Sequence, residues 1–473
     1  MSAFPEDFVR QMEDTLGSGA AARLIEALQE PSPVSIRYND GSHRHFADGG
    51  KVVWCASGRY LQPPRPAFTF DPLFHAGDYY VQEASSMFIE QAYRRITAEE
   101  QPRRVLDLCA APGGKSTLWR SLLPELSLLV ANEPLRPRAA VLAENMQKWG
   151  HPDVVVTSAW PAAFQALPAY FDVIAADVPC SGEGMFRKDA GAVGEWSLQN
   201  VAQCAARQRD IIRDVWPALR PGGFLVYSTC TFNRQEDEEN VRFICQELGA
   251  EPVRIDVPEE WGIEGDTAGT DLPVYHFFPH RARGEGFFLA LLRKTADEPL
   301  HQLRKVRPDK QLSVPRNAPF RQWLREPEAW TFMYTDEGRV SAVHSWWKDD
   351  ACRLRQNIRT LLCGVEVAEE KGRKVIPAHA LALSRAAAGD VFAQTELDYA
   401  AALAYLRHES LVLEGSVPRG YVRVAYEGRP LGFVNQLGAR ANNLYPAQWR
   451  IRSSYVPASF EAAVAAYDDA DYA

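Results

Sequence analysis

At 473 residues the chain exceeds what one ordinary hydrophobic core holds, so two to four domains are expected. Its 46% hydrophobic and 24% charged residues mark it as globular, no apolar stretch reaches membrane-spanning length, and the acidic start MSAFPEDFVRQMEDTL lacks a signal peptide's layout, so a cytoplasmic protein with no membrane partner is expected. The net charge of −9 argues against a nucleic-acid partner only as a sum, because the basic residues are concentrated late in the chain.

Residues 1 to about 30 read as two short helices broken near Gly17-Ser18-Gly19. Pro31-Ser32-Pro33 leads into an extended segment, Val34 to Asn39, and Pro63-Pro64-Arg65-Pro66 is a rigid connector. From about Phe74 to Lys294 short apolar strands alternate with helical segments; examples are Arg104 to Leu108, Ser127 to Asn132, Val154 to Thr157, Val173 to Ala176, Phe224 to Tyr227 and Gly286 to Arg293. That alternation predicts a doubly wound α/β domain. Arg220-Pro221-Gly222-Gly223 reads as a tight turn launching one of those strands. A basic, proline-bearing linker covers about 296 to 320, a mixed segment runs to about 395, and a β-rich end spans Ser410 to about Tyr455, closed by a helix from Ala458 to Tyr467. The expected domains are an α+β region over 1–73, a catalytic domain over 74–295, a linker and middle domain over 296–395, and a β-rich domain over 396–473. His301 to Trp330 holds seven Lys/Arg against three acids, and Pro418 to Arg452 six arginines against one. Each reads either as a solvated face or as an RNA footprint.

Three strand ends carry the chemistry. Asp107-Leu108-Cys109-Ala110-Ala111-Pro112-Gly113-Gly114-Lys115-Ser116 ends in Gly-Lys-Ser, but a P-loop needs glycine where Cys109 stands, and the dinucleotide spacing G-x-G-x-x-G is absent. What remains is a loop of small residues after an acid, Asp107, with a second acid, Glu133, closing the next strand. A carboxylate there suits the ribose hydroxyls of an adenosine-containing cofactor. The plain alternative is a strand–helix turn whose glycines only pack. Asp177-Val178-Pro179-Cys180 and Ser228-Thr229-Cys230 end two further apolar runs, at the edge of an open α/β sheet where ligands bind. A cysteine in such a place is by default a small buried hydrophobe, as expected for Cys55, Cys204, Cys245, Cys352 and Cys363. Cys180 and Cys230 differ in facing one crevice. A thiolate adding at C6 of cytosine makes C5 nucleophilic, and an acid near N3 stabilises the developing charge. Asp177 is the expected acid, holding its proton through burial beside Val178 and Ile174. The eight cysteines show no C-x-x-C pair, so neither a metal site nor a disulfide framework is expected.

DLCAAPGGKS, DVPCSGEGMFRKD and YSTCTF together resemble, in order and spacing across roughly residues 75 to 295, the motifs of the Nop/Sun family of RNA 5-methylcytosine methyltransferases. The resemblance implies a Rossmann-like class I fold that takes S-adenosyl-L-methionine. It implies Cys230 as nucleophile and Cys180 as the thiol that assists release. It further implies a cofactor site lined by Asp107, Cys109, Ala110, Ala111, Pro112, Gly113, Gly114, Lys115, Glu133 and Asp177. The family usually places an acid after the strand at Val154 to Thr157; here Thr157-Ser158-Ala159-Trp160-Pro161 has none. Ser158, a backbone carbonyl or a stacked Trp160 is the expected substitute.

Ser35-Ile36-Arg37-Tyr38-Asn39 and His75 to Glu83 resemble the family's amino-terminal segments, and Gly432 to Arg452 resembles the PUA-like tail of its bacterial RsmF-type members, which act on small-subunit ribosomal RNA. The RNA contacts expected from this are Arg37, Lys188, Arg440, Tyr445, Trp449 and Arg450. The implied partner is 16S ribosomal RNA or the small subunit, met by a monomer, with the target cytosine flipped out of any helix. Two alternatives stay open: the same chemistry on transfer RNA, and a catalytically weak RNA-binding factor in ribosome assembly.

Overall fold

The computed structural model describes residues 4–295, 306, 313–336 and 338–463. Helices Glu6–Leu16 and Ser18–Ala27 meet at Gly17, whose φ of 78° is a left-handed value that glycine holds without steric cost. Strands β1 (Ser35–Tyr38), β2 (Asp48–Lys51), β3 (Gly58–Leu61) and β4 (Tyr79–Val81) form an antiparallel sheet in the order β2-β3-β1-β4.

The central sheet is built from β5 (Arg104–Asp107), β6 (Leu128–Asn132), β7 (Val154–Thr157), β8 (Phe171–Asp177), β9 (Leu219–Thr229), β10 (Ala250–Pro252), β11 (Val274–Phe277) and β12 (Phe287–Lys294). Its order runs β10-β12-β9-β8-β5-β6-β7, with β11 paired to β12. Both faces are buried, which is why these strands read as apolar runs rather than alternations. Val105, Leu129, Val173 and Val226 point into one core, closed by Leu118 and Trp119 of helix Gly114–Leu122 and by Leu142 of helix Arg136–Trp149. Their neighbours Leu106, Val130, Ile174 and Leu225 point into the other, closed by Ile212 and Val215 of helix Leu198–Val215. β5 pairs in parallel with both β6 and β8. The chain therefore runs outward through β6 and β7 and returns to β8, leaving a crevice at the carboxyl ends of β5 and β8.

Two local readings are corrected here. Arg220 to Gly223 lies inside β9, as a bulge between the pairs Phe171–Leu219 and Val173–Phe224, with φ of 73° at Gly222. The central sheet also gains a strand from the middle segment. After the hairpin of β13 (Trp330–Asp336) and β14 (Arg339–His344), β15 (Thr360–Cys363) pairs antiparallel with β7.

β16 (Val365–Lys371) and β17 (Lys374–Pro377) complete a sheet ordered β13-β14-β16-β17. The last sheet, β18-β19-β20-β21, comprises Ala393–Glu396, Gly420–Tyr426, Arg429–Gln436 and Ala441–Asn443. Its core of Tyr405, Leu406, Val424 and Val434 also takes in Ala67 and Phe70 from the connector. The expected closing helix is helical over 460–463, and its remainder lies outside the described residues, as does most of the expected linker.

Candidate active site

The crevice is shaped first by its glycine-rich loop. Ala110 to Gly113 carries little side chain, and Gly113 has φ of 119° where helix Gly114–Leu122 begins, a conformation that favours glycine. The loop is pinned from below: Ala110 N donates to Asn132 O at 2.8 Å, and Asn145 Nδ2 donates to Pro112 O at 2.8 Å. Asp107 is buried, accepts from Ser116 Oγ at 2.6 Å, and is pushed up to about 7 by burial. Burial also pushes the Cys109 thiol well up.

Glu133 closes β6. It accepts from Leu135 N at 2.9 Å and faces Arg138 at 3.4 Å, which leaves lone pairs free. Beyond β7, Ser158 Oγ donates to Pro134 O at 3.2 Å and Ser158 N donates to Arg359 O at 2.9 Å. Trp160 stands 68% exposed at the crevice mouth. Asn132, which sequence does not single out, joins these loops: its Nδ2 donates to Leu108 O and Ala159 O, and its Oδ1 accepts from Thr157 Oγ1 and Ala159 N. An amide at the end of an otherwise apolar strand was its one visible signal. The donor set suits an adenosine-containing cofactor: a loop of small side chains, helix N–H groups without intrahelical partners and a carboxyl at the next strand end.

At the end of β8, Asp177 Oδ2 accepts from Lys115 Nζ at 2.8 Å and Oδ1 accepts from Ser228 Oγ at 2.9 Å. The expectation of a carboxyl group that donates a proton is corrected, because both oxygens are acceptors in this arrangement. For Lys115, burial pulls the ammonium down, but the charge and hydrogen bond of Asp177 outweigh it and the net shift is upward.

Cys180 and Cys230 meet with their sulfurs 3.0 Å apart. The Cys180 thiol is pushed well up, first by its hydrogen bond to Cys230, then by burial and by the nearby charges of Cys230 and Glu236. Cys180 is therefore the proton holder of the pair. Two buried acids cross-link the loops behind them. Glu236, beyond Cys230, accepts from Ser181 N at 3.0 Å, next to Cys180. Glu183, beyond Cys180, accepts from Phe232 N at 2.7 Å and Thr231 Oγ1 at 2.6 Å, next to Cys230. Asn233 Nδ2 donates to both acids, at 3.1 and 2.8 Å. Burial pushes Glu236 up to about 7 and Asp237 well up. Burial alone would also raise Glu238, but the hydrogen bond from His276 brings it down to about 2. From sequence this acidic run looked like an ordinary polar helix start; its burial was not visible there.

The expected RNA contacts divide. Lys188, Arg440 and Arg450 are exposed and Trp449 is half-buried. Arg37 and Tyr445 are corrected. Arg37 is fully buried, its Nε donating to Gln82 Oε1 at 2.9 Å and its guanidinium 4.5 Å over the Trp149 ring. Tyr445 is 1% exposed, packed edge-on to Tyr405 and His379. Neither offers a surface to a ligand. Among the described residues, no helix is long and apolar enough to cross a membrane, and no cluster of His, Cys, Asp and Glu is arranged for a metal ion.

Residues 95–293 match the family described as 16S rRNA methyltransferase RsmB/F. Residues 4–84 match the N-terminal domain of 16S rRNA methyltransferase RsmF, and residues 392–451 the methyltransferase RsmF PUA domain. The ribosomal RNA small subunit methyltransferase F of Erwinia tasmaniensis is 30% identical over 485 residues, covering 94% of this chain and 96% of its own length. The protein of the same name from Enterobacter sp. is 30% identical, over 94% and 95% of the two chains. Among solved structures, NSun6 from Pyrococcus horikoshii with SFG aligns at a TM-score of 0.52 and 21% identity, over 63% of this chain and all of its own. A methyltransferase homologue from the same organism aligns at 0.52 and 24% identity, over 62% and 95%. These two likenesses concern the fold.

Proposed function

The chain belongs to the RsmF-type branch of the Nop/Sun methyltransferases, the 16S rRNA methyltransferase RsmB/F family, and we propose that it methylates C5 of a cytosine in 16S ribosomal RNA, in the cytoplasm, through a covalent adduct on Cys230. As a class I enzyme it uses S-adenosyl-L-methionine, which supplies an electrophilic methyl group when bound over the Ala110–Lys115 loop and Glu133. The observation that carries the reading is the pair of thiols at 3.0 Å, one of them holding the proton.

In this reading the Cys180 S–H supports a Cys230 thiolate. The thiolate sulfur bonds to C6 of the flipped cytosine, and the electron pair of the C5–C6 double bond moves toward C5 and N3. Lys115, beside Asp177, is the cation in reach of the charge gathering on the ring, while Asp177 accepts from the exocyclic amine. C5 takes the methyl group. A base then removes the C5 proton, the C6–S bond breaks, the double bond re-forms, and the departing Cys230 sulfur takes the Cys180 proton, which solvent replaces. Ser158 and Trp160 take the place of the family's missing acid at the adenine end.

The test supplies labelled S-adenosylmethionine with unmodified 16S RNA, assembled small subunits and transfer RNA in parallel, and locates any 5-methylcytosine. Label in 16S RNA or subunits alone is expected. Label only in transfer RNA overturns the substrate, and none anywhere overturns the activity.

A further inference from the structure

A cavity of about 990 Å³ lies between the N-terminal sheet and the catalytic domain. One wall is Gln82, just past β4. Its side chain accepts from Arg37 Nε at 2.9 Å and lies 3.7 Å from where a Cβ on Gly114 of the cofactor loop would sit. The facing wall is Arg187 and Lys188, a few residues beyond Gly184, whose amide donates to the Cys230 carbonyl at 2.9 Å. Gly284 also lines the cavity. Two residues further on, Gly286 packs on Gly184, its carbonyl 3.0 Å from the position of a Gly184 Cβ. The cavity thus sits between the cofactor loop and the cysteine loops.

Its chemistry is equally specific. Prolines of the Pro31–Pro33 segment and of the connector give it an apolar rim, and Arg65, Arg187, Lys188 and Arg283 surround it. The one carboxyl among the lining residues, Glu83, is already occupied by the amides of Ser85, Ser86 and Glu285, at 2.8, 2.9 and 3.1 Å. Arg187 is tied to the carbonyl of Ala27, at 2.8 Å through Nε. Arg65, Lys188 and Arg283 are exposed. The Arg283 guanidinium lies flat enough over Tyr60 to sit 4.2 Å from the ring centroid, presenting a plane on which a base can stack.

We propose that this cavity holds the single-stranded RNA immediately flanking the flipped cytosine, with Arg65 and Lys188 on its phosphates and the Arg283–Tyr60 stack against a base. Single strands are bound in this way, by cations along the backbone and flat side chains against the bases. At about 990 Å³ the site is at the upper end of the roughly 300–1,000 Å³ typical of small-molecule pockets, so it takes more than one base. The assignment rests on the RNA methyltransferase reading and adds where the strand runs.

The experiment titrates the full chain into a short fluorescein-labelled single-stranded RNA of 16S sequence and follows anisotropy over a range of salt. The double variant Arg65→Glu/Arg283→Glu is expected to bind about tenfold or more weakly, with the slope of log K against log salt reduced by about 1.4, or ~0.7 per lost phosphate contact. S-adenosylhomocysteine binding, measured by calorimetry, is expected to be unchanged. Arg316→Glu, an exposed arginine outside the cavity, is expected to keep wild-type RNA affinity. Unchanged affinity and slope in the double variant overturn the proposal. If that variant loses the cofactor analogue as well, Arg65→Ala and Lys188→Ala are read singly; slopes reduced by about 0.7 each support the cavity, and unchanged slopes overturn it. A wild-type chain that binds RNA through these residues yet methylates none leaves the cavity standing and removes the functional reading instead.

Discussion

Cys180 and Cys230 come from loops after two different strands, yet their sulfurs lie 3.0 Å apart and only Cys180 is driven toward its protonated form by the contact. That asymmetry assigns different outcomes to the same substitution. Cys230→Ala is expected to abolish 5-methylcytosine, whereas Cys180→Ala leaves the adduct without its proton donor and is expected to accumulate protein–RNA species that survive denaturation on a gel. Ordinary turnover in Cys230→Ala, or no adduct in Cys180→Ala during turnover, would falsify the roles. The two thiols were legible in sequence because each stands at the end of an apolar run, where an α/β sheet presents ligands. The state of Asp177 was not, because its neighbours Val178 and Ile174 say nothing about Lys115, which comes from another strand end and closes on it at 2.8 Å. The acids that hold the thiol loops make a separate prediction. Burial lifts Glu236 from its ordinary 4.5, and Asp107 from 3.8, to about 7. A group raised in the folded state contributes stability that is fully present below its unfolded pKa and lost as pH rises through the folded one. From pH 5 to pH 8 the unfolding free energy is therefore expected to fall, by at most about 3 kcal/mol for each group, and Glu236→Gln is expected to remove roughly half of that slope. Urea midpoints across this range give the measurement; an equal slope in the variant would sink the assignment.

Helix Glu6–Leu16 was predicted from its amphipathic pattern, but what its buried face touches was not. Phe8 and Met12 are fully buried against Phe186 and Trp196 in the segment following Cys180. Gln11 Nε2 donates to Glu183 Oε1 at 3.0 Å, so the helix reaches the acid that braces the Cys230 loop. Phe8→Ala is expected to cost about 3–5 kcal/mol in urea unfolding, the usual range for emptying a buried phenylalanine site. Gln11→Ala removes one hydrogen bond and is expected to leave RNA affinity intact while lowering kcat by about tenfold, the equivalent of ~1.4 kcal/mol and within what such a bond contributes. A kcat equal to wild type would show that the brace does not bear on the chemistry. At the other end of the crevice, β15 pairs with β7 and fixes Ser158 through Arg359 O, an addition no local pattern announced because β15 reads as an ordinary strand of a separate domain. It leaves Trp160 exposed where the family's acid is missing. Trp160→Ala is expected to weaken S-adenosylhomocysteine binding by about fivefold to tenfold, in line with the ~1–1.4 kcal/mol of an aromatic stack. Calorimetry that finds the same affinity would hand the adenine contact to Ser158 alone.

The C-terminal sheet was recognisable from its arginines and turn residues, but its place in the molecule follows from residues that are apolar or paired across domains. Phe433 packs into the core of the middle sheet, Phe70 enters the C-terminal core, and Arg429 meets the buried Asp78 at 3.0 Å. This domain is clamped to the N-terminal sheet and the middle domain, and cutting it away would uncover apolar surface on both and confound any binding measurement. The decisive variants are therefore surface reversals on the intact chain. Arg440 and Arg450 are exposed and make no ion pair with a described residue, so reversing them disturbs charge without touching the core. If that face is an RNA footprint, Arg440→Glu/Arg450→Glu is expected to weaken binding of 16S RNA and to reduce the salt slope by about 1.4–1.8, as two lost phosphate contacts require for single- or double-stranded RNA-like sites. Methylation measured at saturating RNA is expected to keep its wild-type kcat, because neither arginine lies near the thiols and both act only on the encounter. An unchanged slope would return the arginine cluster to an ordinary solvated face and leave the cavity beside the cysteine loops as the principal grip on RNA. A lowered kcat at saturation would mean instead that the C-terminal domain sets how the cytosine is presented, a coupling its contacts with the N-terminal sheet provide a route for.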